Sequence, residues 1–133
     1  MERPLPDSLR NAFNGDVLNY LNGKSAHSDI AEALTNAVKK LGDVQHFCPN
    51  PAQYRYFAVS TQGVIFGVAT GMNLIAFRLD ATFKERALRT GADDAPDIGP
   101  NWASFAPFRN DWPQVDLEFW ARKAYVFARD TKL

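Results

Sequence analysis

At 133 residues, with 46% hydrophobic and 23% charged side chains, the chain has the length and make-up of one globular domain able to bury a core without disulfide staples. Fifteen basic and fifteen acidic residues cancel, which excludes a global field that would gather nucleic acid or anionic lipid. A lone cysteine, Cys48, excludes an internal disulfide and fits a reducing, cytoplasmic setting, and no apolar run is long enough to span a bilayer.

The polar, proline-bearing start predicts a short lead without structure over residues 1–7 and is unlike a signal peptide. A first helix is predicted over residues 8–21, with Leu9, Phe13, Val17, Leu18 and Leu21 on one side and Asn22-Gly23 as its stop. Gly15 is a poor helix former inside it. A second helix starts at Ser28 or Asp29 as N-cap and ends at Gly42. Its Ile30, Ala33, Leu34, Ala37, Val38 and Leu41 recur at helical spacing, a stripe that needs an apolar surface to cover. Residues 44–48 read as a short strand, ended by Pro49-Asn50-Pro51.

Residues 54–80, YRYFAVSTQGVIFGVATGMNLIAFRLD, hold three β-rich runs separated by two turn signals, and predict an antiparallel meander. A two-residue Gly71-Met72 turn pairs Thr70 with Asn73, and a Ser60-Thr61-Gln62-Gly63 turn pairs Val59 with Val64. That register gathers Phe57, Val59, Val64, Phe66, Val68, Ile75, Phe77 and Leu79 on one apolar face that wants helical cover. The opposite face receives Tyr54, Tyr56, Ala58, Ile65, Gly67, Ala69, Leu74, Ala76 and Arg78. Two readings follow for this small-floored face: cover by the C-terminal helix, or a shallow recognition surface.

A short helix is predicted over residues 82–90, capped by Asp80 or Thr82 and stopped by Gly91. Residues 91–100 read as an acidic loop, 102–105 as a fourth strand, and 107–112 as loop again. Pro113 opens a last helix running to about residue 130, with Leu117, Trp120, Ala121, Ala124, Phe127 and Ala128 as its packing stripe. Phe119, Tyr125 and Val126 lie off that stripe, which predicts contact on two sides. No repeat or linker divides the chain. The expected architecture is a single α+β domain, an antiparallel meander sheet of three to five strands packed against helices.

Catalytic signatures are sparse. No phosphate-binding glycine loop, nucleophile elbow or paired-histidine zinc helix is present. His46 and Cys48 are two apart, so on a strand they share a face, and a thiol beside an imidazole is the one candidate nucleophile. Asp93, Asp94 and Asp97 lack the spacing of a calcium loop and read as solvated surface, so neither metal nor cofactor is expected. Trp102, Phe105, Phe108 and Trp112 cluster with Arg109, a combination that either pins a loop to the core or anchors a partner. Between residues 51 and 90, Arg55, Arg78, Lys84, Arg86 and Arg89 outnumber Asp80 and Glu85, a basic side that would meet a nucleic-acid backbone. Zero net charge disfavours that use.

From Gly63 onward, the order GVIFGVATGMNLIAFRLD, TFKERALRTGA, NWASF and DLEFWARKAYVFAR resembles the superfamily of TfoX N-terminal domains and YjbR (MmcQ-like) proteins. The resemblance covers roughly the last 70 residues. It implies a small bacterial α+β protein that binds DNA or protein and has no established catalysis. Phe66-Gly67, Leu74, Arg78, Trp120 and Ala124 would match its structural positions, whereas the two N-terminal helices have no clear equivalent.

The preferred expectation is a non-enzymatic binding or regulatory module for an unidentified protein or small molecule. Tyr54, Tyr56 and Trp102 would supply contact area, and Arg78 and Arg109 would orient an anionic or carbonyl group. The alternatives are a thiol-dependent enzyme using Cys48 with His46, and a DNA-binding protein using the Arg55, Arg78 and Arg86 side. A homodimer built on the meander edge is a further expectation.

Overall fold

Alternating apolar side chains and two tight turns set three strands side by side. The computed structural model, which describes residues 3–53, 55–108 and 116–131, extends them into a wider sheet. Among the described residues the strands are β1 (Gln45–Phe47), β2 (Phe57–Thr61), β3 (Val64–Thr70), β4 (Leu74–Arg78), β5 (Asp93–Asp94) and β6 (Trp102–Phe105). All pair antiparallel, in the order β1-β2-β3-β4-β6-β5. The α-helices are α1 (Gly15–Leu21), α2 (Ser28–Val38), α3 (Ala81–Arg89) and α4 (Leu117–Asp130). The α+β class matches the expectation, and the sheet has one strand more than its upper bound. The extra strand lies in the acidic loop, where Asp93 and Asp94 pair with Ser104 and Ala103. The meander has no free edge, because β1 covers β2 and β6 covers β4.

The register differs from the predicted one at three places whose effects largely cancel. Thr61 pairs with Val64 across Gln62-Gly63, both at positive φ (50° and 81°), the two-residue turn whose twist suits a hairpin. Pairing then slips, so Val59 faces Gly67 while Ser60 faces Ile65, leaving Phe66 as an extra residue in β3. Such a bulge reverses the parity of everything after it. Val68 therefore moves to the second face and Ala69 to the first, against expectation. The turn between β3 and β4 has three residues rather than two, with Thr70 opposite Leu74, and this returns Ile75 and Phe77 to the predicted side.

The first face thus carries Val59, Val64, Phe66, Ala69, Ile75, Phe77 and Leu79, with Phe57 packed beside them. The stripes of α2 (Ile30, Leu34, Ala37, Val38) and α4 (Trp120, Ala121, Ala124, Ala128) cover it. Edge-on contact between Phe66 and Tyr125 (5.8 Å) and a bond from the Tyr125 hydroxyl to Gly42 O (2.6 Å) fasten α4 to the sheet and to the α2 side. The cap of α2 is His27, whose ring accepts from Asp29 N, rather than Ser28 or Asp29. For α3, Asp80 accepts from Phe83 N as predicted.

The second face is covered too, though not by the C-terminal helix. The N-terminal segment folds back over it, burying Leu9, Val17 and Leu21 against Ala58, Ile65, Val68 and Ala76, with Ala95 and Ile98 filling the far side. The segment is not one long helix: two 3-10 turns, Asp7–Leu9 and Ala12–Asn14, precede α1, which begins at Gly15. Phe13, expected on the packing side, is exposed. The lead expected to lack structure is held at Arg3, whose backbone N donates to Pro49 O (2.7 Å). Layers on both faces explain why all seven residues of β3 are buried.

Candidate functional site

The structure brings two of the five expected site residues together, but inside the protein. Arg78 and Trp102 are cross-strand partners with 9% and 1% of their surface exposed. The guanidinium lies 5.7 Å from the indole ring and Nη2 donates to Phe13 O. Burial lowers the Arg78 pKa and nearby Asp16 raises it, and the group stays charged. Its Nε is buried without a hydrogen-bond partner. This cation joins the N-terminal segment to the sheet and presents no open surface. The second face is therefore not a shallow platform, because the segment containing Phe13 and α1 occupies it. Tyr54 and Arg109 lie outside the described residues, as does Trp112 of the aromatic cluster.

His46 and Cys48 are turned to different partners. The His46 ring packs against Phe57 (5.6 Å), and partial burial lowers its pKa below the usual histidine value. The Cys48 thiol donates to Arg55 O (3.5 Å), and no hydrogen bond links it to His46. The basic side is likewise dispersed: Arg78 is inside, Arg86 stacks on Phe83 of its own helix, and Arg55 sits at the opposite end of the sheet region. In the acidic loop, Asp94 pairs with Lys84 (2.7 Å), whose hydrogen bond holds its carboxyl below the ordinary range. Among the described residues no group of three or more His, Cys, Asp or Glu is placed to hold a metal ion.

Tyr56, the remaining expected residue, leads to a site the sequence did not reveal. Its buried ring and that of Phe47 lie 6.1 Å apart at a tilt, and together they floor a cleft of about 350 Å³. Leu5 and Leu18 add apolar wall, Asn19 and Asn22 add amides, and Arg3 and Arg55 stand at the margin. Local chemistry explains the assembly. Gly23, at φ 80°, turns the chain sharply after α1. Lys24 O then accepts from both Tyr56 N and Arg55 Nε (3.2 Å each), and Ser25 bridges to Arg55, so the end of α1 is clamped to the approach to β2. The bond from Arg3 N to Pro49 O ties the lead to the chain after β1, and both residues line the cleft.

Sequence reasoning missed Arg3, Asn19 and Asn22 because nothing local connects residues 3, 19–22, 47–49 and 55. The two proline-flanked stretches, 3–6 and 49–51, were the only hint of fixed, extended chain at the margin. A larger hollow of about 660 Å³ lies between α2 and the start of α4, and Asn36, Lys39, Asp116 and Glu118 give it a mostly polar lining. No family model, curated protein or solved structure matches this chain.

Proposed function

We propose that this chain is a non-enzymatic binding module whose ligand seats in the cleft between the N-terminal lead, α1 and the β1–β2 approach. The observation that carries the reading is the aromatic floor of Phe47 and Tyr56 beneath two guanidinium-bearing residues, Arg3 and Arg55. The cleft joins small exposed parts of two rings to amides and guanidinium-bearing side chains, and about 350 Å³ is at the small end of the range for a small-ligand site. The thiol-enzyme alternative gains no support from the divergent contacts of His46 and Cys48. The DNA alternative loses Arg78 as a phosphate contact through its burial.

The test is an amide NMR titration of the full chain with a small-fragment library that includes neutral and charged members. The expected result is shifts concentrated at Leu18, Asn19, Asn22, Phe47 and Tyr56, abolished by Leu18→Trp, which fills the cleft. Shifts clustered elsewhere, or unaffected by Leu18→Trp in a folded variant, would overturn the reading.

A further inference from the structure

Apart from any ligand, we infer that Asn22 is a site of spontaneous covalent modification by water, giving aspartyl and isoaspartyl forms. The isoaspartyl form unfastens the end of α1 from the approach to β2. The chain holds two pairs in which glycine follows asparagine, Asn14-Gly15 and Asn22-Gly23. In such a pair the glycine N–H loses its proton and the nitrogen attacks the asparagine Cγ, since no Cβ on the glycine hinders the approach. A C–N bond forms, ammonia leaves, and a five-membered imide results. Water then opens the imide at either carbonyl. One opening gives aspartate in the original main chain. The other routes the main chain through Cβ and Cγ and leaves the α-carboxylate pendant.

The fold holds the two pairs very differently. Asn14 is fully buried, its side chain makes three hydrogen bonds, and the Gly15 N–H donates to Ala12 O. Its Cγ meets the Gly15 nitrogen only if the joint between the N-terminal segment and β3 opens. Asn22 is exposed. Its φ of −58° and ψ of 120°, φ 80° at Gly23 and a bond from Lys24 N to Leu21 O (2.9 Å) make residues 21–24 a type II turn. The central peptide of that turn joins Asn22 to Gly23 and takes no part in the turn's own hydrogen bond. Among the described residues, neither the Asn22 side chain nor the Gly23 N–H has a hydrogen-bond partner. Attack needs rotation of this one peptide plane. Beyond the chain neighbours, no atom lies within 4 Å of the place a Gly23 Cβ would take, so the rotation meets open space.

The turn leads straight into the clamp. Lys24 O accepts from Tyr56 N and from Arg55 Nε. An isoaspartyl link adds one backbone atom ahead of Lys24, which carries its N–H away from Leu21 O and its carbonyl away from both donors. The new carboxylate also stands at the C-terminal end of α1, where the helix carries partial negative charge. Either product replaces a neutral amide in the lining of the cleft, yet the reaction itself does not depend on what binds there.

The full chain would be aged in mildly alkaline, oxygen-labelled water, both folded and in concentrated urea. Fragment-ion mass spectrometry locates each converted asparagine, and enzymatic methylation counts isoaspartate. In the folded chain Asn22 is expected to convert at least about tenfold faster than Asn14, and in urea the two should convert at similar rates. Equal rates in the folded chain overturn the site, and a ratio that persists in urea overturns the fold as its cause. Asn22→Gln, an exposed change, should remove the isoaspartate that folded protein accumulates; its persistence would overturn the assignment. Hydrogen exchange on the isolated isoaspartyl form should be faster at the Lys24 and Tyr56 amides. Asn22→Asp carries the charge without the added atom and should leave both amides protected. Unchanged exchange in the isoaspartyl form overturns the unfastening, and equal acceleration in Asn22→Asp overturns the role of the added atom.

Discussion

The guanidinium of Arg78 and the indole of Trp102 lie 5.7 Å apart across neighbouring strands, and both are shut beneath the N-terminal segment. The Phe13 carbonyl accepts from the same guanidinium, so one side chain joins β4, β6 and the turn ahead of α1. Arg78→Ala leaves that carbonyl without its donor and opens a void against Trp102. The expected loss is about 1.5–3 kcal/mol, the range for hydrogen bonds to charged groups, read from urea unfolding. Stability within experimental error of the parent would show that the joint contributes nothing.

Asn14 is a second fastening of the same layer. Fully buried, its side chain donates to Leu9 O and Gly63 O and accepts from Ile65 N (2.9, 2.8 and 3.0 Å). Asn14→Ala orphans the Ile65 amide inside the protein, a penalty of about 1–3 kcal/mol. Hydrogen exchange should locate it: the Ile65 amide gains the most in rate, and a uniform change across the sheet would contradict this account.

The sheet register was half legible. Alternation with the turn signals placed Phe57, Phe66 and Phe77 on one side, where they are, and Arg78 on the other. It missed the extra residue at Phe66, since a bulge leaves the apolar pattern of VIFGVAT unchanged while moving Val68 and Ala69 to opposite layers. It also missed which segment covers the second face. Leu9, Val17 and Leu21 were recognised as apolar, but no periodicity says which of two apolar faces a segment chooses. The cleft was hidden for a related reason: its polar residues, Arg3, Asn19, Asn22 and Arg55, come from three separate stretches.

Gly67 records the bulge in its own way. A Cβ there would sit 2.9 Å from Val59 Cγ2 and 3.2 Å from Phe77 Cε1, both fully buried. The glycine is required by lack of room. Gly67→Ala is expected to cost about 1–3 kcal/mol by overpacking, and Gly67→Ala with Val59→Ala should recover part of it. A double variant no more stable than the sum of the two changes would remove the steric explanation.

His46 sets a mild pH dependence. Partial desolvation lowers its pKa from the ordinary 6.5 although the residue is exposed, so the folded chain binds fewer protons than the unfolded one between the two values. Stability then rises with pH across that window, and is lost as pH falls from about 6.5 to the lower folded value. His46→Phe should flatten this portion of the stability curve, measured by denaturant midpoints from pH 7 to pH 4. An unchanged slope would assign it to other groups.

The long reach of the N-terminal fastenings has a bearing on how the chain assembles during translation. Asn14 finds its acceptor and donor 49 and 51 residues later, and Phe13 meets Arg78 after 65. The segment ahead of α1 therefore has no docking partner until β3 and β4 have followed it out of the ribosome. Nascent chains halted before β2 would carry Leu9, Val17 and Leu21 uncovered, a ready target for chaperones that grip oily segments.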